Sequence, residues 1–367
     1  MSALRKALYT LGAAVSLAAV GIGGTILRFE KTCVADKPAP AVASSFGITD
    51  PGYQRAQGDS FLTFPEWYIV HAYNDLTAVT AQSSESDFHY LASIAGFWSS
   101  LCSATQRASV SGPATADQKA TNYIIGFSFT AEMASMGVYE KTMGALTEWI
   151  AGGRKTPEDE FNLALLKEYS AFLYQTPWYQ FPFGEKFVKF WRETPFTLSV
   201  RAIERRGSLS TQYAGRWAYA ALMRFIAGYD PADLTIRSVV GGSTPTDLAA
   251  MKGVTVIREV DGKGEHGVLV ETARYAEFDA FVRELGRDPP AGLLEVAGNH
   301  RILVTVIAPD GSDTALAAAG GDIIFHLAIQ SSPGSRRIGI DMPIRSLVTA
   351  VAGFEAAGLK FEHAYDY

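Results

Sequence analysis

Glu132 has neighbours that could turn a carboxylate into a general acid or base. Ser128, Glu132, Ser135 and Tyr139 recur at spacings of four, three and four, which places them on one helix face. Ile124, Phe127, Phe129, Met133 and Val138 lie around them. A carboxyl buried in such company has its pKa raised and could move protons near neutrality. Tyr139 on the same face and His71 on an earlier helix complete the candidate set of Glu132, Tyr139 and His71, with Glu66 and Asp75 near His71. The same spacing also suits a solvated or structurally paired glutamate. The two readings differ in whether Glu132 lies in an apolar cleft with a second titratable group in hydrogen-bond reach.

Other motifs are weaker. Gly262-Lys263-Gly264-Glu265-His266-Gly267 matches a GxGxxG pattern, but Val268-Leu269-Val270 follows where a dinucleotide site needs a helix to begin, so the run reads as a turn. Gly126-Phe127-Ser128-Phe129-Thr130 lacks the last glycine of a nucleophile elbow and sits in a helical run. His71, His89, His266, His300, His326 and His363 are scattered, none paired at a helical metal spacing. No cofactor and no metal are expected. Cys33 and Cys102 are the only cysteines and could form one disulfide if the fold brings them together.

A partner surface is suggested by composition. Phe172, Tyr174, Trp178, Tyr179, Phe181, Phe183, Phe187, Phe190 and Trp191 crowd one stretch. Overlapping it, residues 184–224 hold eight cations against three acids, a net +5 in a chain of net −6. Rings and cations together suit the headgroup level of a bilayer, so Trp178, Tyr179, Phe183, Lys186, Phe187, Lys189, Trp191 and Arg192 are the candidate membrane-interface residues. An aromatic core beneath a proline-bent loop gives the same pattern. The negative total argues against a nucleic-acid partner.

The elements that must position these residues are legible from start and stop signals. Thr63-Phe64-Pro65-Glu66 reads as a capping box, and a second helix covers 87–107. Thr115 opens a long run to about 151, with Gly126, Gly137 and Gly144 able to bend or divide it. Thr156-Pro157-Glu158-Asp159 opens another, and amphipathic segments follow over 184–193 and 208–227. Beyond a Pro- and Gly-containing stretch, strands are predicted over 254–260, 267–271 and 359–365, with helices over 272–285 and 346–358. Hairpins are predicted about Gly298 and about Ser332-Pro333-Gly334. No internal repeat stands out. The domain reading is 1–33 cytoplasmic tip and anchor, 34–60 flexible linker, 61–229 helical domain, 230–253 linker, and 254–367 a smaller α+β domain. That last domain is read as an antiparallel sheet with two helices, a ferredoxin-like arrangement being one candidate.

Between Lys6 and Arg28 there is no charge, and Ala7–Leu27 is long enough as a helix to cross a hydrocarbon core of roughly 30 Å. No small-x-small cleavage site follows it, so an uncleaved signal-anchor is expected in preference to a cleaved signal peptide. Arg5, Lys6 and the amino terminus favour a cytoplasmic N-terminus, with the bulk periplasmic and the chain single-pass in a bacterial inner membrane. The functional expectation is a membrane-anchored envelope protein with an extracytoplasmic body, a binding or assembly protein docking on membrane lipid. An envelope protein or a small hydrophobic ligand is a further candidate partner. The alternative is a membrane-associated enzyme acting on a lipid or hydrophobic substrate, with Glu132 as acid and base.

Overall fold

Thr115 and Thr156 each begin a helix by the same device: the threonine hydroxyl accepts the N–H three residues on, while Gln118 or Asp159 accepts the threonine N–H. Thr63 does not. It is itself helical, and its hydroxyl donates backward to the Asp59 and Ser60 carbonyls, so two helices run almost continuously through it. The computed structural model describes residues 23–34, 44–46, 55–112, 114–227, 234–262, 264–287, 291–317 and 320–367. Its helical part comprises α1 (helical from 23 to 33), α2 (Asp59–Leu62), α3 (Phe64–Gln82), α4 (Tyr90–Val110), α5 (Ala116–Tyr139), a π-helical turn (Glu140–Gly144), α6 (Ala145–Ile150), α7 (Pro157–Phe172), α8 (Phe183–Glu193) and α9 (Val200–Ala227).

The remainder is β1 (Thr235–Gly241), α10 (Pro245–Ala250), β2 (Thr255–Gly262), β3 (Glu265–Ala273), α11 (Ala276–Leu285) and β4 (Gly292–Val296). The same order then recurs as β5 (Arg301–Pro309), α12 (Asp313–Ala317), β6 (Asp322–Ala328), β7 (Ser335–Pro343), α13 (Ile344–Ala356) and β8 (Lys360–Tyr365). The sheets are β2-β3-β1-β4 and β6-β7-β5-β8, all neighbours antiparallel, so each half has ferredoxin-like βαββαβ connectivity. Even the irregularities repeat. The ladder shifts after Val239 and after Thr305, and between Val256 and Arg258 as between Ile323 and Phe325. By register, Glu295 therefore corresponds to His363, and Arg258 to Phe325.

One core joins both sheets with α11 and α13. The helices also reach across between halves: Asp279 of α11 pairs with His363 of β8, and Arg345 of α13 with Glu265 of β3. The other face of the second sheet lies on α3. Phe64 stacks against Phe325 at 4.5 Å and Tyr365 at 5.5 Å, within a core that continues through α3, α4, α5 and α7. Cys33 and Cys102 form a disulfide that ties α1 to α4.

Several expectations are corrected. A single antiparallel sheet with two helices is replaced by two four-stranded sheets of one repeated topology. The stretch 230–253 holds β1 and α10, and the hairpin expected about Gly298 joins strands of different sheets. Residues 7–22 of the apolar run Ala7–Leu27 lie outside the described residues. Residues 23–27 belong to α1, which carries Arg28, Glu30 and Lys31 and lies on α4 and α5 through Phe29, Trp98 and Tyr123. Among the described residues no helix is long and apolar enough to cross a membrane. Both long candidates, α5 and α9, are interrupted by charges. The expected transmembrane helix and the single-pass inner-membrane placement are overturned on that ground.

Candidate functional site

Glu132, Tyr139 and His71 share no partner. Glu132 accepts from the Tyr73 hydroxyl at 2.7 Å and pairs with Arg216 at 3.0 Å, with its side chain 37% exposed. Arg216 lies over the Tyr73 and Tyr169 rings, so this glutamate holds α9 against α3 and α5. The Tyr139 hydroxyl donates to Glu204 on α9; burial and that carboxylate push it up to about 12. His71 is enclosed under the second sheet, Nε2 at 3.2 Å from the Tyr365 hydroxyl and Nδ1 at 3.6 Å from Glu362. Burial and the Arg337 guanidinium lower it to about 3, so it is neutral at ordinary pH.

The interior of the helical part is organised by charged side chains that belong to no motif. Arg205, fully buried on α9, meets Glu85 at 2.6 Å, Glu140 at 2.8 Å and Asp159 at 2.9 Å. Arg201, one turn earlier, joins Asp159 to Glu204 and donates to the Gly144 carbonyl of the π-helical turn. Asn162 donates to Glu85, and Tyr213 donates to Asn162. Burial, with the Glu85 charge beside it, raises Glu140 to about 7 against the pull of Arg205. Asp159 goes the other way: burial would raise it, but Arg205 and Arg201 bring it below its usual range. The cavity here is about 20 Å³, room for a water and no substrate. What this cluster can do chemically is hold one proton and lock a helix.

A second buried network seals the junction with the sheets. His363 Nδ1 lies 2.6 Å from Asp279, its ring stacked on Trp67 at 3.6 Å, and Asp279 also accepts the Ala364 N–H. This has the look of an oriented catalytic histidine, yet its Nε2 is enclosed with no hydrogen-bond partner among the described residues. Beside it Arg337 grips Glu362; burial would lift that carboxyl, but Arg337 and His71 hold it down to about 2. Among the described residues no group of three His, Cys, Asp or Glu could hold a metal ion.

The aromatic and basic stretch is largely turned inward. Phe183 is buried and Phe187 packs beneath the surface, while Trp178 stacks on Tyr219 and meets Tyr179 edge-on. Lys186 pairs with Glu168 and Lys189 with Glu193, and Arg206 pairs with Glu158 while crossing the rings of Phe190, Trp191 and Phe196. Trp191 is exposed, and the exposed Arg192 lines an open groove of about 750 Å³ between α8 and α9. Arg201, Arg205, Arg206 and Arg216 are drawn to internal acids, and large apolar side chains are exposed elsewhere on the helical part. Val138, Met143, Leu146, Trp149 and Ile150 protrude from the end of α5 through α6, with Trp149 77% exposed. Sequence reasoning missed the acids behind this. Glu85, Glu140, Asp159 and Glu204 are far apart in the chain, and no local pattern joins them to Arg201 and Arg205.

Comparison with known proteins gives no match to a family model, a curated sequence or a solved structure.

Proposed function

We propose that this chain is a binding or assembly protein that docks on an apolar partner through the exposed apolar side chains of its helical part. One observation carries the reading. Of the twenty large apolar side chains exposed among the described residues, all but Ile257 belong to the helical part, and the sheets expose almost nothing comparable. Extended apolar surface of this kind marks interaction sites, whereas isolated exposed side chains do not. The internal pairing of the cations favours a partner recognised by apolar contact over one recognised by anionic charge. Weighing against the acid–base alternative, Glu132 is held by Arg216 and Tyr73, and neither cavity described above is lined by Glu132, Tyr139 or His71.

The test uses the full chain with the dye bis-ANS. Saturable binding is expected, falling several-fold in the double variant Leu146→Glu, Trp149→Glu with an unchanged circular-dichroism spectrum. Absence of dye binding by the unaltered chain sinks the proposal. Flotation with neutral phosphatidylcholine vesicles then separates a lipid surface from a protein partner.

A further inference from the structure

The outer face of α9 is a long helix surface that carries few charges. At about 100° per residue, Val200, Ile203, Gly207, Thr211, Ala214, Gly215, Ala218, Ala221, Leu222 and Phe225 fall within an arc roughly 120° wide. All of these except the half-buried Ala214 are exposed, and the one charged residue within the arc, Glu204, is drawn to Tyr139, Thr147 and Arg201. A solvent-facing stripe normally carries the charges of its helix. Here Arg201, Glu204, Arg205, Arg206 and Arg216 are engaged in internal ion pairs.

The glycines on this face have no internal explanation. A Cβ added at Gly207 or Gly215 would meet nothing within 4 Å, in contrast to Gly184, where it would strike the Trp217 ring. Glycine in a helix interior costs about 1 kcal/mol relative to alanine. Close approach by something outside the chain would use the space these two leave open.

We infer that the outer face of α9 is a two-fold seam on which a second copy of this chain packs antiparallel. The inference rests on the binding reading above and names one partner for it. The face is self-complementary about Thr211. An antiparallel pairing centred there sets Gly207 of each copy level with Gly215 of the other, and Val200 level with Leu222. Small residues thus meet at the middle and large apolar ones at both ends, as an isologous contact requires. The size also fits. On the face itself Val200, Ile203, Leu222 and Phe225 are between 52% and 90% exposed. With the small residues between them they would remove on the order of 600 Å² per copy, the low end of specific interfaces.

The experiment measures the mass of the full chain by sedimentation velocity at high micromolar concentration, with three variants. The unaltered chain is expected to be a dimer, and Ile203→Asp with Leu222→Asp a folded monomer. Thr211→Cys, lying on the two-fold, is expected to cross-link under mild oxidation, whereas Leu91→Cys on α4 is not. A monomeric unaltered chain overturns the inference, and so does a dimer in which Thr211→Cys fails to cross-link. A monomer whose Thr211→Cys is shielded from maleimide overturns it too, and assigns the face to another part of the same chain. Bis-ANS binding through Trp149 that survives in a monomer leaves the binding reading standing while this inference falls.

Discussion

Glu140 ties the stability of the molecule to pH. Its carboxyl has about 1% exposure on the first residue of the π-helical turn, shares Arg205 with Glu85, and is raised to about 7 by burial and by that neighbour. A carboxyl with a folded pKa above its unfolded value binds more protons in the native state, so stability falls as pH rises from about 4.5 through 7. His71 works in the opposite sense. Lowered to about 3, it remains neutral in the fold, so stability is lost as pH falls below about 6.5. The two oppose each other below pH 6.5, leaving the range from about 6.5 to 8 to Glu140. Urea denaturation is expected to show a decline there of at most about 1 kcal/mol, and Glu140→Gln to flatten it. A decline unchanged in the variant would assign it to another group. None of this was readable from Glu140 alone. A glutamate after Tyr139 looks like any helix-surface acid until Arg205, 65 positions on, is folded against it.

At the scale of elements, α9 is held by ions and presents apolar surface, the reverse of the usual amphipathic arrangement. The cations of 184–224 suggested a charged outer face. The structure turns them inward because Glu85, Glu132, Glu140, Glu158 and Asp159 converge on the same side of the helix from four other segments. Replacing Arg205 with methionine is expected to destabilise the chain by about 3–5 kcal/mol, since it leaves several carboxylates buried without their partner. Chemical denaturation checks this. Joint replacement of Arg205, Glu85 and Glu140 by apolar residues is expected to be milder than the single change, and a harsher result would contradict the account. Local signals served well where the interaction itself is local: the capping boxes at Thr115 and Thr156 are complete within four residues. They failed where the decision is made at a distance. The turn at Ala297-Gly298, with φ of 50° and 77°, is present, but β4 and β5 on either side of it pair into different sheets. β1 was hidden because its few β-branched residues, among them Ile236, Val239 and Val240, sit between glycine- and proline-containing segments, although it is an interior strand of its sheet.

For the whole molecule, the two βαββαβ halves differ most in what their outer faces meet, and sequence similarity between them is too slight to have disclosed the repeat. The first sheet has Arg258 where the second has Phe325, and Leu269 where the second has Gly339. The glycine is required: a Cβ at Gly339 would strike the Phe325 ring. That ring lies flat across the sheet and carries the contact to Phe64 of α3. Phe325 is therefore one of the positions at which the second sheet meets the helical part. Phe325→Arg, which places there the residue the other half uses, is expected to have opposite effects in two settings. In the full chain it buries an unpaired cation against α3 and removes an aromatic contact, a loss of about 3–5 kcal/mol. Calorimetry should then resolve separate transitions for the helical part and the sheets. In a fragment covering 234–367, where Leu303, Phe325, Leu327 and Tyr365 are stripped of their helical cover, the same change breaks an exposed apolar patch and is expected to raise the soluble yield. Destabilisation in both settings would mean that Phe325 serves the second sheet itself and not the junction.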